Sequence, residues 1–148
     1  MRLVENIPFF SIFIMMAGGI VTPLLGGGNR ARVLHMVLVG AVAVMSGLLL
    51  GYTSDGTCFC FMMGHFPAPW GNEVRAGALE ALMSLVFSLV MLLTVAANKR
   101  SLEHDIPSER AGLYYVMMNL LFSSLLALVY TNDLFTAYVF IEINTISA

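Results

Sequence analysis

The chain has 148 residues, 59% of them hydrophobic and 11% charged, with a formal net charge of −2 and a mean hydropathy of +0.86. A soluble domain of this size cannot hide so much apolar surface in one core, so the composition points to a membrane protein. The small, scattered charge excludes nucleic-acid binding and polybasic attraction to anionic lipid, and partners are expected within the bilayer.

Apolar runs of about 18 or more residues mark spanning helices. Four are read in chain order, at roughly 7–25, 33–52, 77–97 and 111–130. The first follows Arg2, but no A-x-A site succeeds it and Arg30 and Arg32 lie just beyond, so it reads as a span rather than a secretory leader. It closes at Pro23 and the turn Gly26, Gly27, Gly28, Asn29, which predicts antiparallel first and second helices lying side by side.

The second segment carries Ala43, Gly47 and Gly51 at four-residue spacing. They form either a face for close helix approach or a set of lipid-facing glycines. His35, near the first connection, reads as an interfacial, solvated histidine rather than a functional titrating group. The stretch from Tyr52 to Arg75 reads as a long outer loop, with Phe59, Phe61, Phe66 and Trp70 as interfacial anchors. Cys58 and Cys60 with His65 do not have zinc-site spacing, and a disulfide across one residue would be strained, so two plain thiols are expected.

Glu80, in the first turn of the third segment, reads as structural, facing interfacial water and the helix N-terminus. The connection 98–110, with Lys99, Arg100, Glu103, His104, Asp105, Glu109 and Arg110, reads as a solvated loop in which Pro107 and Ser108 start the fourth helix. Arg30, Arg32, Lys99, Arg100 and Arg110 flank the first and third connections, against Arg2 and Arg75 on the other side. The positive-inside rule then predicts an outside N-terminus.

In the fourth segment Asn119 lies eleven residues before Tyr130, about 16 Å along the axis and near mid-membrane. It reads as an interhelical hydrogen-bonding residue, with a transport role as the alternative. The junction Tyr130, Thr131, Asn132, Asp133 reads as a helix cap. Thr131 or Asn132 accepts from the orphan amides, and Asp133 complements the positive end of the helix dipole.

Beyond it begins a fifth apolar helix that contains Glu142, about 13 Å inward. Every other charged residue falls in a loop or near a segment end. A carboxylate at bilayer depth costs about 2.5–3.5 kcal/mol on insertion scales, which makes Glu142 a candidate for an ion or proton path. From Leu134 to Ala148 the helix reaches about 22 Å, short of a hydrocarbon core of about 30 Å. The expectation is therefore a single transmembrane domain over residues 1–148, all-α and polytopic. It comprises four spanning helices and the start of a fifth, as the N-terminal part of a longer protein. No haem-ligand pair, C-x-x-C cluster pattern or nucleotide-binding glycine motif is read, so no cofactor, metal or redox chemistry is assigned.

Two stretches resemble a known family. Pro67-Ala68-Pro69-Trp70-Gly71 followed by Leu79-Glu80-Ala81-Leu82-Met83 is similar to a PAPFG plus LSALM pattern. Thr131-Asn132-Asp133-Leu134-Phe135 through Tyr138-Val139-Phe140-Ile141-Glu142 is similar to T-G/N-D-L-F-x-x-Y-V-F-F-E. Both belong to the antiporter-like membrane subunits of respiratory complex I, membrane-bound hydrogenases and Mrp-type cation/proton antiporters. Gly77 stands where that family commonly has an aspartate.

The resemblance implies a proton- or cation-translocating subunit in a prokaryotic plasma membrane. It would work among other integral membrane subunits, with protons and possibly sodium as its ions. Glu142 matches the family's protonatable carboxylate, whose partner is a lysine on a later helix; Asn119 and Asp133 are supporting candidates. A desolvated carboxyl tends to be neutral and a nearby cation favours its ionised form, so moving the cation moves the proton. The alternative is a truncated scaffolding subunit without transport of its own.

Overall fold

The computed structural model describes residues 3–25, 27–62, 73–98, 106–107 and 110–148; the side chains of residues 3, 5, 61 and 62 are excepted. The stretch Pro67–Gly71, Phe66, His65, Arg2 and most of the charged connection from Lys99 to Glu109 lie outside the described residues.

Among the described residues, four helices are long and apolar enough to cross a membrane: Ile7–Leu25, Gly28–Thr53, Ala78–Ala97 and Ala111–Tyr130. The chain is an integral membrane protein. We number these helices α1 to α4 and the shorter apolar helix Leu134–Ser147 α5. The second span starts earlier than the hydropathy suggests, at Gly28, so that Arg30 and Arg32 belong to its first turns.

Local chemistry sets the ends. Pro8 sits in the first turn of α1, where its missing amide hydrogen costs nothing. Pro23 cannot donate to the carbonyl four residues back, so α-geometry stops at Val21 and tightens into a 3-10 turn, Thr22–Leu25. After α2 the chain turns at Gly56, whose φ of 79° falls in the left-handed region that suits glycine.

α1 packs on α4 and α2 on α3, and α2 also touches both α1 and α4. Lipid offers little hydrophobic drive between helices, so small residues and interhelical hydrogen bonds hold such a bundle together. A Cβ on Gly18 would strike Leu38 of α2, and one on Gly28 would lie 2.7 Å from the Ala111 Cβ of α4. Ser46 and Ser84 hydroxyls join α2 to α3 at 2.7 Å, and the Ser123 hydroxyl donates to the Ile12 carbonyl of α1. Apolar side chains such as Met15, Val39, Val42, Leu49, Phe122 and Leu126 fill the space between.

The inward stripe of α2 runs Ala31, His35, Val39, Val42, Ser46, Leu49, Thr53, a heptad-like period. Ala43 and Gly47 lie one residue round from it and Gly51 two. A Cβ on Gly47 or Gly51 would meet nothing within 4 Å, so within the described bundle that glycine face is not a packing seam.

The connection between α2 and α3 holds an element the sequence did not announce. Strands β1 (Phe59–Met62) and β2 (Glu73–Ala76) pair antiparallel, with Phe59 opposite Ala76 and Cys60 opposite Arg75. On β2, Val74 and Ala76 turn inward while Arg75 is exposed. The other side of β2 meets the α4–α5 junction: Val74 bridges to Thr131, and the Asn132 amide donates to the Glu73 carbonyl at 2.8 Å. The hairpin thereby fixes where α5 departs from the bundle.

Candidate functional site

α5 starts on a cap made by Asp133. Its carboxylate accepts from the Phe135 amide (3.4 Å), the Thr136 amide (3.1 Å) and the Thr136 hydroxyl (2.8 Å). Asp133 is thus itself the capping residue, in place of Thr131 or Asn132, because its short side chain reaches the second and third amides of the helix. The Thr136 hydroxyl first, then the Thr136 amide, holds the Asp133 carboxyl below its usual range.

Glu142 follows on a helix with no buried residue. Its side chain is exposed, on an outward surface that includes Phe135, Tyr138, Ile141 and Ile146. Tyr138, one turn earlier, is the polar side chain next to it on the same exposed surface. The Thr145 hydroxyl, almost one turn later, bonds the Glu142 backbone carbonyl. α5 packs on α4 and presents its remaining apolar surface outward, with the carboxylate within it.

Asn119 lies elsewhere. It is 0% exposed and joins three helices: its Oδ1 meets His35 Nδ1 of α2 at 2.7 Å, and its Nδ2 donates to Thr22 Oγ1 of α1 at 3.0 Å. Thr22 Oγ1 in turn donates to the Gly18 carbonyl. The structure does not bring Asn119 to Glu142, because Asn119 faces the bundle interior while Glu142 faces out.

His35 was the residue misread. Far from being solvated, it is 0% exposed, bonded to Asn119 and packed on the Tyr115 ring at 5.8 Å. The available signal was its place on the Ala31, Val39, Val42 stripe, which distance from the helix end alone concealed. Arg32, one turn earlier, points its Nη2 at the Val95 and Ala96 carbonyls, 3.2 and 3.4 Å away. There its charge complements the negative end of the α3 dipole.

A second polar group sits toward the hairpin. The Ser46–Ser84 pair lies near the buried Tyr130 hydroxyl, and Arg75 stands 3.8 Å from Glu80. The Glu80 carboxylate folds back over Gly77, where a Cβ would come within 2.9 Å of Oε2. That carboxylate is the far end of a flexible side chain and could swing aside, so the contact does not by itself demand a glycine. Cys58 and Cys60 are free, exposed thiols; partial burial and the neighbouring Glu73 push the Cys60 thiol up from its ordinary value. Among the described residues no three His, Cys, Asp or Glu side chains cluster to hold a metal ion.

No protein-family model matches the chain. It is 27% identical over 141 residues to NADH-quinone oxidoreductase subunit N of Desulforudis audaxviator, a match covering 93% of this chain and 27% of that protein. Its fold is similar to a chain in the structure of the Mrp complex from Dietzia sp. DQ12-45-1b, with a TM-score of 0.84, 18% identity, and coverage of 99% of this chain and 27% of that one. It is also similar to a chain of the membrane-bound sulfane sulfur reductase, an archaeal respiratory membrane complex, with a TM-score of 0.75, 20% identity, and coverage of 98% and 28%. The resemblance to antiporter-like subunits read from the two sequence stretches points to this same group of proteins. The chain spans roughly a quarter of the length of each of these relatives.

Proposed function

We propose that the chain forms four spanning helices and the Glu142 helix of a proton- or cation-translocating membrane subunit, and that Glu142 is its intramembrane proton-carrying carboxylate. The subunit works inside a multi-subunit complex, against other integral membrane subunits, with protons and possibly sodium as its ions. Its N-terminus and hairpin lie outside, and the connection between α3 and α4 is cytoplasmic.

The observation that carries this reading is the setting of Glu142. It is the one carboxylate well inside an apolar helix, and it stands on a face that the rest of the bundle leaves open. A carboxylate against hydrocarbon is costly, so that face calls for a protein or water partner, or for the neutral acid. Either condition makes the group a place where a proton is taken up or released. Asp133 acts as a positioning residue: with β2 it fixes the depth and direction of α5. Asn119 braces the bundle from inside and serves Glu142 only through that rigidity.

In the intact complex, Glu142→Gln is expected to cut coupled proton translocation by about a hundredfold, the scale for losing one essential proton-transfer group, with assembly unchanged. Normal pumping by that variant would sink the reading. A scaffolding subunit is the second reading, favoured by the same open face of α5, which offers an uncommitted packing surface. Under that reading, Glu142→Gln alters subunit association and leaves flux alone.

A further inference from the structure

The polar line that begins at His35 has a direction. The Thr22 hydroxyl spends its hydrogen on the Gly18 carbonyl, at 2.6 Å, so it meets Asn119 Nδ2 as an acceptor, at 3.0 Å. The amide is thereby turned with Oδ1 toward His35 Nδ1, at 2.7 Å. An amide oxygen only accepts, so Nδ1 carries the hydrogen. In the neutral ring Nε2 is then a bare lone pair.

That lone pair is buried and has no hydrogen-bond partner among the described residues. Arg32 Nε, three residues earlier on α2, is likewise buried without a partner. Residues three apart on a helix are neighbours. An unused donor and an unused acceptor therefore sit at neighbouring positions of one helix, a polar setting of the kind that recruits a water. Such a water accepts from Arg32 Nε–H and donates to His35 Nε2. Arg32 is itself only partly buried, and its bond to the Ala96 carbonyl is exposed, so the water lies a short step from the surface at the α3 C-terminus.

We propose that His35 Nε2 is a proton-binding site inside the four-helix bundle, served by a water held between it and Arg32 and separate from Glu142. A hydronium arriving along this path gives its proton to Nε2. The O–H bond breaks with its electrons left on oxygen, an N–H bond forms, and water and an imidazolium remain; release is the reverse. Nδ1–H stays bonded to Asn119 throughout, so the ring keeps its orientation while its charge changes.

The charged group nearest in sequence on the same helix is Arg32, three residues earlier. From α4, Tyr115 lies 5.8 Å away with its ring tilted by 42°, an aromatic face close enough to favour a cation, and Tyr114 packs edge-on against it. α1 contributes Thr22 and Gly18, and Val95 of α3 belongs to the apolar cluster beside Tyr115; none of these titrates. None of these contacts involves α5.

The chain's histidines are His35, His65 and His104. Protein labelled with [15N]histidine, carrying His65→Gln and His104→Gln and held in lipid bilayers, shows His35 alone by solid-state 15N NMR. At neutral pH the expected spectrum has Nδ1 protonated and Nε2 bare, with a correlation from a water proton to Nε2. On acidification to about pH 4, well below the ordinary histidine value, Nε2 gains a proton reversibly while Nδ1 remains protonated. A neutral ring protonated at Nε2, absence of the water correlation, or an Nε2 that stays bare through the acid range would each overturn the proposal. None of these readings depends on Glu142, so this site and the Glu142 reading stand or fall separately.

Discussion

Asn119 and Glu142 lie about 16 and 13 Å in from the α4–α5 junction, at similar depth on consecutive helices. Asn119 is fully buried and shares its hydrogen bonds between α1 and α2. Glu142 sits on a helix that buries nothing. A neutral amide can be held inside by a hydroxyl and an imidazole, and in doing so it ties three helices into one register. A carboxylate has no such closure here. The contrast separates a polar residue that builds the bundle from one that the bundle leaves exposed.

The comparison breaks most readily on stability. Asn119→Leu leaves His35 Nδ1 and the Thr22 hydroxyl without their partner in a dry interior. The expected loss is about 2 kcal/mol, from one orphaned buried group and two interhelical bonds of modest worth each. Glu142→Gln is expected to shift stability by about 0.5 kcal/mol or less, as at a surface position. Reversible unfolding in mixed micelles measures both. Equal losses would mean that Glu142 is as deeply built into the fold as Asn119, and the contrast would fail.

Length and hydropathy made the four spans legible, because a membrane helix must be long, apolar and closed by polar or breaker residues such as Pro23. Glu142 and the Asp133 junction were legible for the same reason, since charge stands out against that background. His35 was not, because a single sequence gives depth along a helix but not rotation about it, and burial depends on rotation. The choice between the two readings of Ala43, Gly47 and Gly51 stays open in the sequence for the same reason, and open space at Gly47 and Gly51 decides it against a packing seam. The hairpin escaped because Phe59–Met62 is short and reads as interfacial aromatic loop. Its pairing partner, Glu73–Ala76, shows inward alternation over just two residues, Val74 and Ala76.

The seam itself gives the next test. Gly18→Leu pushes against Leu38 and, behind it, the Asn119 amide, whose Cγ would lie 3.8 Å from the first added carbon. Overpacking of this kind costs about 1–3 kcal/mol. Gly47→Leu meets open space and is expected to be close to neutral in the same unfolding measurement. A large loss at Gly47 with none at Gly18 would place the packing face of α2 one residue round, and with it remove His35 from the interior.

The smallest effect concerns how firmly α5 is held, and it depends on pH. The Asp133 carboxyl is depressed below its usual value of 3.8, first by the Thr136 hydroxyl and then by the Thr136 amide. A depressed carboxyl contributes stability that is fully present above its unfolded value and is lost as pH falls through the folded one. The cap should therefore hold α5 unchanged from neutral pH down to that range and release its first turn below it. Hydrogen exchange at the Phe135 and Thr136 amides, corrected for the intrinsic rate at each pH, should show protection fading only there. Asp133→Ala should show the same low protection at every pH, and Asp133→Asn, which still accepts through its amide oxygen, should hold an intermediate level independent of pH. The His35 Nδ1–H bond to Asn119 is kept whether or not Nε2 carries a proton, so α4 protection around Asn119 should stay flat while the first turn of α5 loosens. A parallel loss at both would mean that the hairpin couples the α5 cap to the bundle interior.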